Sequence, residues 1–175
     1  MSISITRRTG NLLGFFACVA LMAYALYAQY VLVLEPCPLC IFQRAAVITL
    51  GVLFLAAAVH NPAQRGARVY AGLQLLAVTV GVLVSSRHIW IQMQPPGSVE
   101  ACGASLDYLF DILPPFAVIK KVLFGSGECG TIDWRFLGLS MPWWVAISQV
   151  VLGAWALFVN APARPTATSN VAVRQ

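Results

Sequence analysis

Residues 12–34 read LLGFFACVALMAYALYAQYVLVL and contain no charged side chain. As a helix, this stretch is long enough to cross a hydrocarbon core, which needs about 20 residues. Three further apolar segments follow, at about 41–59, 69–86 and 141–159. The chain is 59% hydrophobic and 10% charged, whereas soluble domains carry about 25% charged residues. The sequence therefore predicts an all-α membrane protein, a single integral domain built as a four-transmembrane-helix bundle.

The first apolar segment has an alternative interpretation as a cleaved export signal. Arg7 and Arg8 precede it, and Ala23-Tyr24-Ala25 is similar to a small-x-small cleavage site. A signal core is only about 7 to 15 residues long, however, and this run continues past the site to Leu34. A membrane span is therefore the preferred interpretation.

The basic residues predict the orientation of the four spans. Three short segments without any acidic residue lie on one side of the membrane if the four spans cross it in turn. Their arginines are Arg7, Arg8, Arg65, Arg68, Arg164 and Arg174. Because short cytoplasmic segments are enriched in Lys and Arg, we expect both termini in the cytoplasm of a bacterium and the loops at about 35–40 and 87–140 in the periplasm. The net charge of +5 then reflects membrane topology, since the basic residues form no block that would bind nucleic acid.

Four of the five cysteines fall on the periplasmic side in this arrangement, where disulfides persist. Cys37 and Cys40 lie in the short loop, and Cys102 and Cys129 lie in the long loop. Four cysteines allow three pairings, and the residues alone do not choose between them. Cys18 lies within the first span, where we expect an inert small hydrophobic side chain.

The Cys37-Pro38-Leu39-Cys40 motif is of the CxxC type, which performs dithiol chemistry, binds zinc or attaches haem. Haem attachment requires a following His, and Ile41 stands there. Zinc would require two more ligands, which Cys102 and Cys129 could supply, although they do not form a second CxxC. A redox-active dithiol is the preferred interpretation, with no resident metal.

Arg44 and the helix that begins near Cys40 favour an ionised thiol. Free N–H groups at a helix N-terminus stabilise an anion, and Arg44 follows one turn later. Arg44 could also donate to a carbonyl oxygen of a bound acceptor, or could simply anchor the helix at the interface. His88, next to Arg87, is either a hydrogen-bond donor and proton carrier for such an acceptor or a solvated side chain.

The long loop and the C-terminal tail have recognisable composition. An apolar face over 116–123, with Lys120 and Lys121 beside it, predicts a short interfacial helix lying flat on the bilayer. The tail at about 162–175 is rich in Pro, Ala, Thr and Ser, and we expect it to be disordered.

Three features in combination resemble the DsbB family, the quinone reductases that reoxidise the periplasmic oxidase DsbA. They are the segment EPCPLCIFQR at 35–44, the pair Cys102 and Cys129, and the segment WRFLGLSMPWW at 134–144. The resemblance covers about residues 11–160. It implies a protein-disulfide:quinone oxidoreductase that supports disulfide bond formation.

The resemblance also implies a relay of disulfides. The Cys102–Cys129 disulfide would oxidise a DsbA-type partner, with Cys102 forming the intermolecular bond. Cys129 would then exchange with Cys37, which leaves Cys40 as the thiolate that faces ubiquinone or menaquinone. Arg44 and His88 match residues at the family's quinone site, and Gln92 is a further candidate.

Two other functions fit parts of the sequence. A four-span interaction scaffold could carry structural disulfides in its long outer loop, and it would tolerate loss of Arg44. A second kind of thiol–quinone enzyme, similar to the vitamin K epoxide reductase group, has its quinone-side CxxC late in the chain. The early position of Cys37 and Cys40 argues against that group.

Overall fold

The computed structural model describes residues 6–94, 111, 114, 116–117, 127–130, 132 and 134–160. Within these residues, four helices are long and apolar enough to cross a membrane. They are α1 (Arg7–Tyr30), α2 (Pro38–His60), α3 (Gln64–Gln92) and α4 (Met141–Asn160). A 3-10 turn (Gly127–Gly130) and a hairpin of β1 (Arg135–Phe136) and β2 (Leu139–Ser140) precede α4. The predicted all-α fold with four membrane helices is confirmed.

The first two helices both begin before the predicted spans, and α1 also ends earlier. Thr6 caps α1 by accepting a hydrogen bond from the backbone N–H of Thr9. The helix ends at Tyr30, short of Leu34, and Val33 has a left-handed φ of 53°. Helix α2 begins at Pro38, before the predicted Ile41, because a proline in the first turn loses no helical hydrogen bond.

Helix α3 is longer than its apolar segment. The predicted span leaves the membrane at Arg87, but the helix continues to Gln92. His88 is therefore a helical residue, and its side chain is only 2% exposed. In a sequence, a polar residue at the end of an apolar run has two interpretations. It can mark the end of the helix, or it can belong to a helix that continues into a buried site.

The four helices form a closed bundle in which each helix contacts the next and α4 returns to α1. Between them lies an apolar core made of Cys18, Val47, Leu50, Phe54, Val78, Leu152 and Ala156. Cys18 is 3% exposed in this core, as expected for a small hydrophobic side chain. Large apolar side chains also cover the outside of the helices, where they remain exposed; examples are Phe16, Val52, Leu76 and Phe158. Such a surface suits lipid rather than water.

The end of the bundle opposite the CxxC motif is joined by buried polar side chains. Asn160 on α4 donates to Gln74 on α3 (3.1 Å) and to Asn11 on α1 (3.3 Å). Trp155 on α4 donates to the backbone oxygen of Gly10 on α1 (2.9 Å). Residues near the start of α1 and the end of α4 therefore lie together at one end, which we call the terminal end. The other end, which contains Cys37, is called the cysteine end.

Three predictions from the sequence fall largely outside the described residues. They concern Cys102, the interfacial helix over 116–123 and the tail at about 162–175. Within the second of these, Phe116 and Ala117 are described as helical, and Phe116 is 81% exposed. The rest of these three predictions stay predictions.

Candidate functional site

The CxxC motif lies at the N-terminus of α2, and its first cysteine is the helix cap. Cys37 has an extended backbone, and its Sγ accepts a hydrogen bond from the backbone N–H of Cys40 (3.3 Å). The thiol of Cys37 in turn donates to the sulfur of Cys40, with 3.0 Å between the two sulfur atoms. Both cysteines carry free thiols. The helix start thus positions two sulfur atoms close enough to form a disulfide after a small adjustment.

Cys129 comes to the same place from a distant part of the chain. It lies in the 3-10 turn that packs against α3, and its side chain is fully buried. A hydrogen bond with the Cys129 side chain, another with Cys40, and burial together raise the pKa of the Cys37 thiol well above its ordinary value. Three sulfur atoms are therefore adjacent, with Cys37 between the other two.

His88 reaches the sulfur atoms from α3. Its Nε2 lies 3.7 Å from the sulfur of Cys37, and its Nδ1 lies 3.3 Å from the side-chain amide nitrogen of Gln43 on α2. Gln43 and His88 are 3% and 2% exposed. The sequence left His88 open as either a site residue or a solvated side chain. The structure places it inside the bundle, next to the sulfur atoms.

Arg44 also lies on α2, but its guanidinium is held by α1. It donates to the side-chain oxygen of Gln29 and to the backbone oxygen of Ala25, the latter at 3.2 Å. Gln92, the last residue of α3, accepts a hydrogen bond from the Ser140 hydroxyl of β2 (2.6 Å). Each of these polar contacts joins two elements at the cysteine end.

A cavity of ≈ 810 Å³ connects these residues. Its polar lining includes Cys37, Cys40, Arg44, His88 and Gln92, which are the described site residues predicted from the sequence apart from Cys129. Its apolar lining comes from three helices and the hairpin segment, and includes Leu21, Met22, Val47, Trp134, Met141 and Trp144. An apolar pocket with a few convergent polar groups is the usual form of a small-molecule site.

Sequence reasoning missed two side chains of this site. Gln43 was visible beside Arg44 in the EPCPLCIFQR segment, but nothing in the sequence showed that it faces His88. Gln29 had a clearer signal, because it is a polar residue within the uncharged first span. Polar residues inside membrane helices usually face a partner or a cavity, and Gln29 faces Arg44.

The chain matches the model of the disulfide bond formation protein DsbB family over residues 7–159. It belongs to the DsbB family. Similar relatives, each named disulfide bond formation protein B, come from several bacteria. The chain is 51% identical over 158 residues to the one from Xanthomonas oryzae pv. oryzae (strain MAFF 311018), covering 90% of this chain and 92% of that protein.

Two relatives from other genera match over similar lengths. The protein of Chromobacterium violaceum is 46% identical over 159 residues, covering 91% of this chain and 96% of that protein. The protein of Methylococcus capsulatus is 49% identical over 150 residues, covering 86% and 92%. As a member of the DsbB family, the chain is a multi-pass membrane protein and an oxidoreductase with a role in disulfide formation.

The site of this DsbB-family protein places thiols beside a cavity. Adjacent thiols allow exchange between sulfur atoms, which needs direct contact. The cavity beside them has space for a small molecule. Both features lie at the cysteine end of the bundle.

Proposed function

We propose that this protein is a protein-disulfide:quinone oxidoreductase. In this proposal it reoxidises a periplasmic DsbA-type thiol oxidase and passes the electrons to ubiquinone or menaquinone in the bacterial inner membrane. The observation that carries the proposal is that one cavity is lined by both the dithiol (Cys37 and Cys40) and the polar groups expected at a quinone site. The resemblance noted in the sequence supplies the quinone class.

The cavity has the size and the mainly apolar lining of a small-molecule site, which supports a quinone headgroup as its ligand. Its apolar walls suit the ring and the start of an isoprenoid tail. Arg44 is a charged donor suited to a carbonyl oxygen, and the imidazole of His88 on the neighbouring helix α3 lines the same cavity. A quinone supplies an acceptor for two electrons and two protons, which is what two thiols release when they become a disulfide.

The position of Cys129 supports the exchange step. Thiolate attack by Cys129 on Cys37, within a Cys37–Cys40 disulfide, would form a Cys129–Cys37 bond and release Cys40. Such exchange is faster when the leaving sulfur is stabilised as a thiolate. Cys40 is placed for that, because it lies in the first turn of α2, where free backbone N–H groups favour an anion, and because it lines the cavity.

Each step of the proposed relay balances. A Cys102–Cys129 disulfide takes two electrons and two protons from the reduced partner, and becomes two thiols. Those thiols reduce the Cys37–Cys40 disulfide and are themselves reoxidised. The dithiol then gives two electrons and two protons to the quinone, which leaves as quinol.

The test uses the full-length protein in detergent, with a reduced DsbA-type protein and a soluble quinone, and follows quinone absorbance. We expect quinone reduction by the wild type and by Cys18→Ala, because Cys18 lies in the apolar core. Cys102→Ser should be inactive. No quinone reduction by the wild type, or full activity of Cys102→Ser, would contradict the relay.

The same assay tests the acceptor site separately. A hydrogen bond to a charged group contributes about 1.5–3 kcal/mol, so Arg44→Ala should raise the KM for quinone by roughly 10- to 100-fold. Arg87→Ala is the matched control, because Arg87 lies at the same end but stacks on Trp90 at 4.2 Å. Equal KM values for both variants would place the acceptor elsewhere. Absence of quinone reduction in the wild type would instead favour the interaction scaffold.

A further inference from the structure

The cysteine end contains a set of ligand atoms suited to a metal ion. The sulfur atoms of Cys37 and Cys40 and a ring nitrogen of His88 all lie within 4.8 Å of one another. The sulfur of Cys129 lies next to this group and shares a hydrogen bond with Cys37. Two thiols and one imidazole thus converge from α2 and α3, and a third thiol, from the 3-10 turn, lies beside Cys37.

The distances fit zinc. Zinc sites of the Cys₃His type are tetrahedral, with Zn–S of about 2.3 Å and Zn–N of about 2.0–2.1 Å, which separates neighbouring ligand atoms by about 3.5–3.8 Å. Here the Cys37 sulfur lies 3.0 Å from that of Cys40 and 3.7 Å from Nε2 of His88. Small side-chain rotations would bring these three atoms to the tetrahedral spacing, and Cys129 would have to move closer to at least one of Cys40 and His88.

Gln43 provides the outer contact that a histidine ligand requires. A metal-binding His donates its other N–H to a neighbouring acceptor, which fixes the ring. The amide of Gln43 contacts Nδ1 of His88 at 3.3 Å. By rotating its amide, Gln43 can present its oxygen to an Nδ1–H, which leaves the lone pair of Nε2 facing the sulfur atoms.

The surrounding charge also favours the ion. Zinc with three thiolates carries a net charge of −1, which is costly in a partly buried site unless a positive group is near. Arg44 is the arginine that lines the same cavity as Cys37, Cys40 and His88, and its guanidinium contacts Gln29 and Ala25 of α1. A turn of this side chain towards the sulfur atoms would offset the charge.

We propose that the fully reduced protein binds one zinc ion through three thiolates and one imidazole, those of Cys37, Cys40, Cys129 and His88. The ion occupies the same sulfur atoms that turnover would convert into disulfides. It therefore binds only the reduced protein and holds it reduced, as a reversible inhibitor rather than a resident cofactor. The inference does not depend on quinone chemistry, because it concerns only the reduced thiols.

The experiment uses the full-length protein in detergent, reduced and then freed of reductant under anaerobic conditions. Co²⁺ serves as a spectroscopic substitute for zinc, because thiolate ligands give it charge-transfer absorption and tetrahedral geometry gives it intense ligand-field bands. We expect one equivalent of Co²⁺ to produce both features, and one equivalent of Zn²⁺ to remove them. Protein oxidised by a disulfide reagent should give neither.

Variants identify the ligands. Cys37→Ser, Cys40→Ser and Cys129→Ser should each lower the charge-transfer absorption by about one third or lose the ion, since three thiolates contribute. His88→Ala should weaken binding by about 10-fold or more, since loss of even an outer-shell partner of a metal site costs about 10- to 100-fold in affinity. Cys18→Ala and Cys102→Ser should bind like the wild type.

Three results would overturn the inference. They are no thiolate absorption in the reduced wild type, unchanged binding by Cys129→Ser or His88→Ala, and loss of binding in Cys102→Ser. Circular dichroism of each variant without metal shows whether it has folded. Because no quinone or thiol partner is present, the outcome is independent of the quinone assay: zinc can bind where the oxidoreductase proposal fails, and the reverse also holds.

Discussion

At the scale of single residues, Cys37 and Cys40 differ although they belong to one motif. Cys37 caps the helix and donates to Cys40, and it also contacts Cys129. A hydrogen bond with Cys129 is the largest cause that raises the pKa of Cys37. In the proposed relay, Cys37 is the sulfur that is attacked within a disulfide. An attacked sulfur does not need to be a thiolate, so a raised pKa is compatible with this role.

The raised pKa gives the first prediction. In the reduced protein, with a chelator present, the alkylation rate of Cys37 should keep rising above about pH 8.5, where an ordinary thiol is half ionised. The thiolate is the reactive form, and a raised pKa keeps Cys37 protonated to higher pH. A thiol whose pKa is higher by about one has a roughly tenfold smaller thiolate fraction at neutral pH. Mass spectrometry of the Cys37 peptide after timed iodoacetamide pulses measures the profile.

Cys129→Ala is the control for this profile. It removes the largest cause of the raised pKa, so the midpoint for Cys37 should move to lower pH. The midpoint separates ionisation from access, because poor access lowers the rate equally at every pH. A wild-type midpoint at or below that of an ordinary thiol would contradict the prediction.

At the scale of secondary structure, the sequence predicted the number and order of the membrane helices because each apolar run is long. Their ends were less predictable. A run of apolar residues continues from Tyr30 to Leu34, but the chain turns there and uses Cys37 and Pro38 to begin the next helix. Local capping geometry decides these ends, and hydropathy does not report it.

Glycines on the buried helix faces set how closely the helices approach. A Cβ added at Gly14 of α1 would lie 2.7 Å from Cε1 of Phe54, whose side chain is fully buried on α2. Gly72 on α3 has no neighbouring atom within 4 Å of such a Cβ. The two positions therefore form a matched pair for testing close packing of α1 against α2.

Gly14→Ala should lower the free energy of unfolding by about 1–3 kcal/mol, the usual cost of overpacking a close-packed core. Gly72→Ala should leave it unchanged or raise it slightly, since alanine favours the helix. Unfolding in mixed micelles by titration with SDS, followed by circular dichroism, measures the difference. Equal stability of the two variants would show that α1 and α2 are further apart than the structure places them.

At the scale of the whole molecule, the site is assembled from parts that are distant in sequence. The dithiol and Arg44 lie in one short segment, which the motif made visible. His88 and Cys129 lie elsewhere: the predicted topology made both of them candidates on the periplasmic side, and the resemblance to a family assigned their roles in the site. Contacts such as Gln43 with His88 depend on how α2 packs against α3, and therefore appear only in the folded bundle.

The four-helix arrangement makes a final prediction about the membrane. The short connection between α1 and α2 lies at the cysteine end, and the connection between α2 and α3 lies at the terminal end with Arg65 and Arg68. Basic residues favour the cytoplasm. A cysteine introduced at Leu32, which is 42% exposed, should therefore react with a membrane-impermeant maleimide in spheroplasts. One at Ala63, which is also exposed, should react only in inverted vesicles.

Peptide mapping by mass spectrometry distinguishes the introduced cysteine from the native ones, so no cysteine-free background is required. Both substitutions lie in connections between helices, and Ala63 makes no capping hydrogen bond that the change would remove. Labelling of both positions from one side would contradict four spans, because α2 would then not cross the bilayer. The reverse pattern would keep the four spans but place the dithiol in the cytoplasm, where disulfides do not persist, and the proposed partner could not reach it.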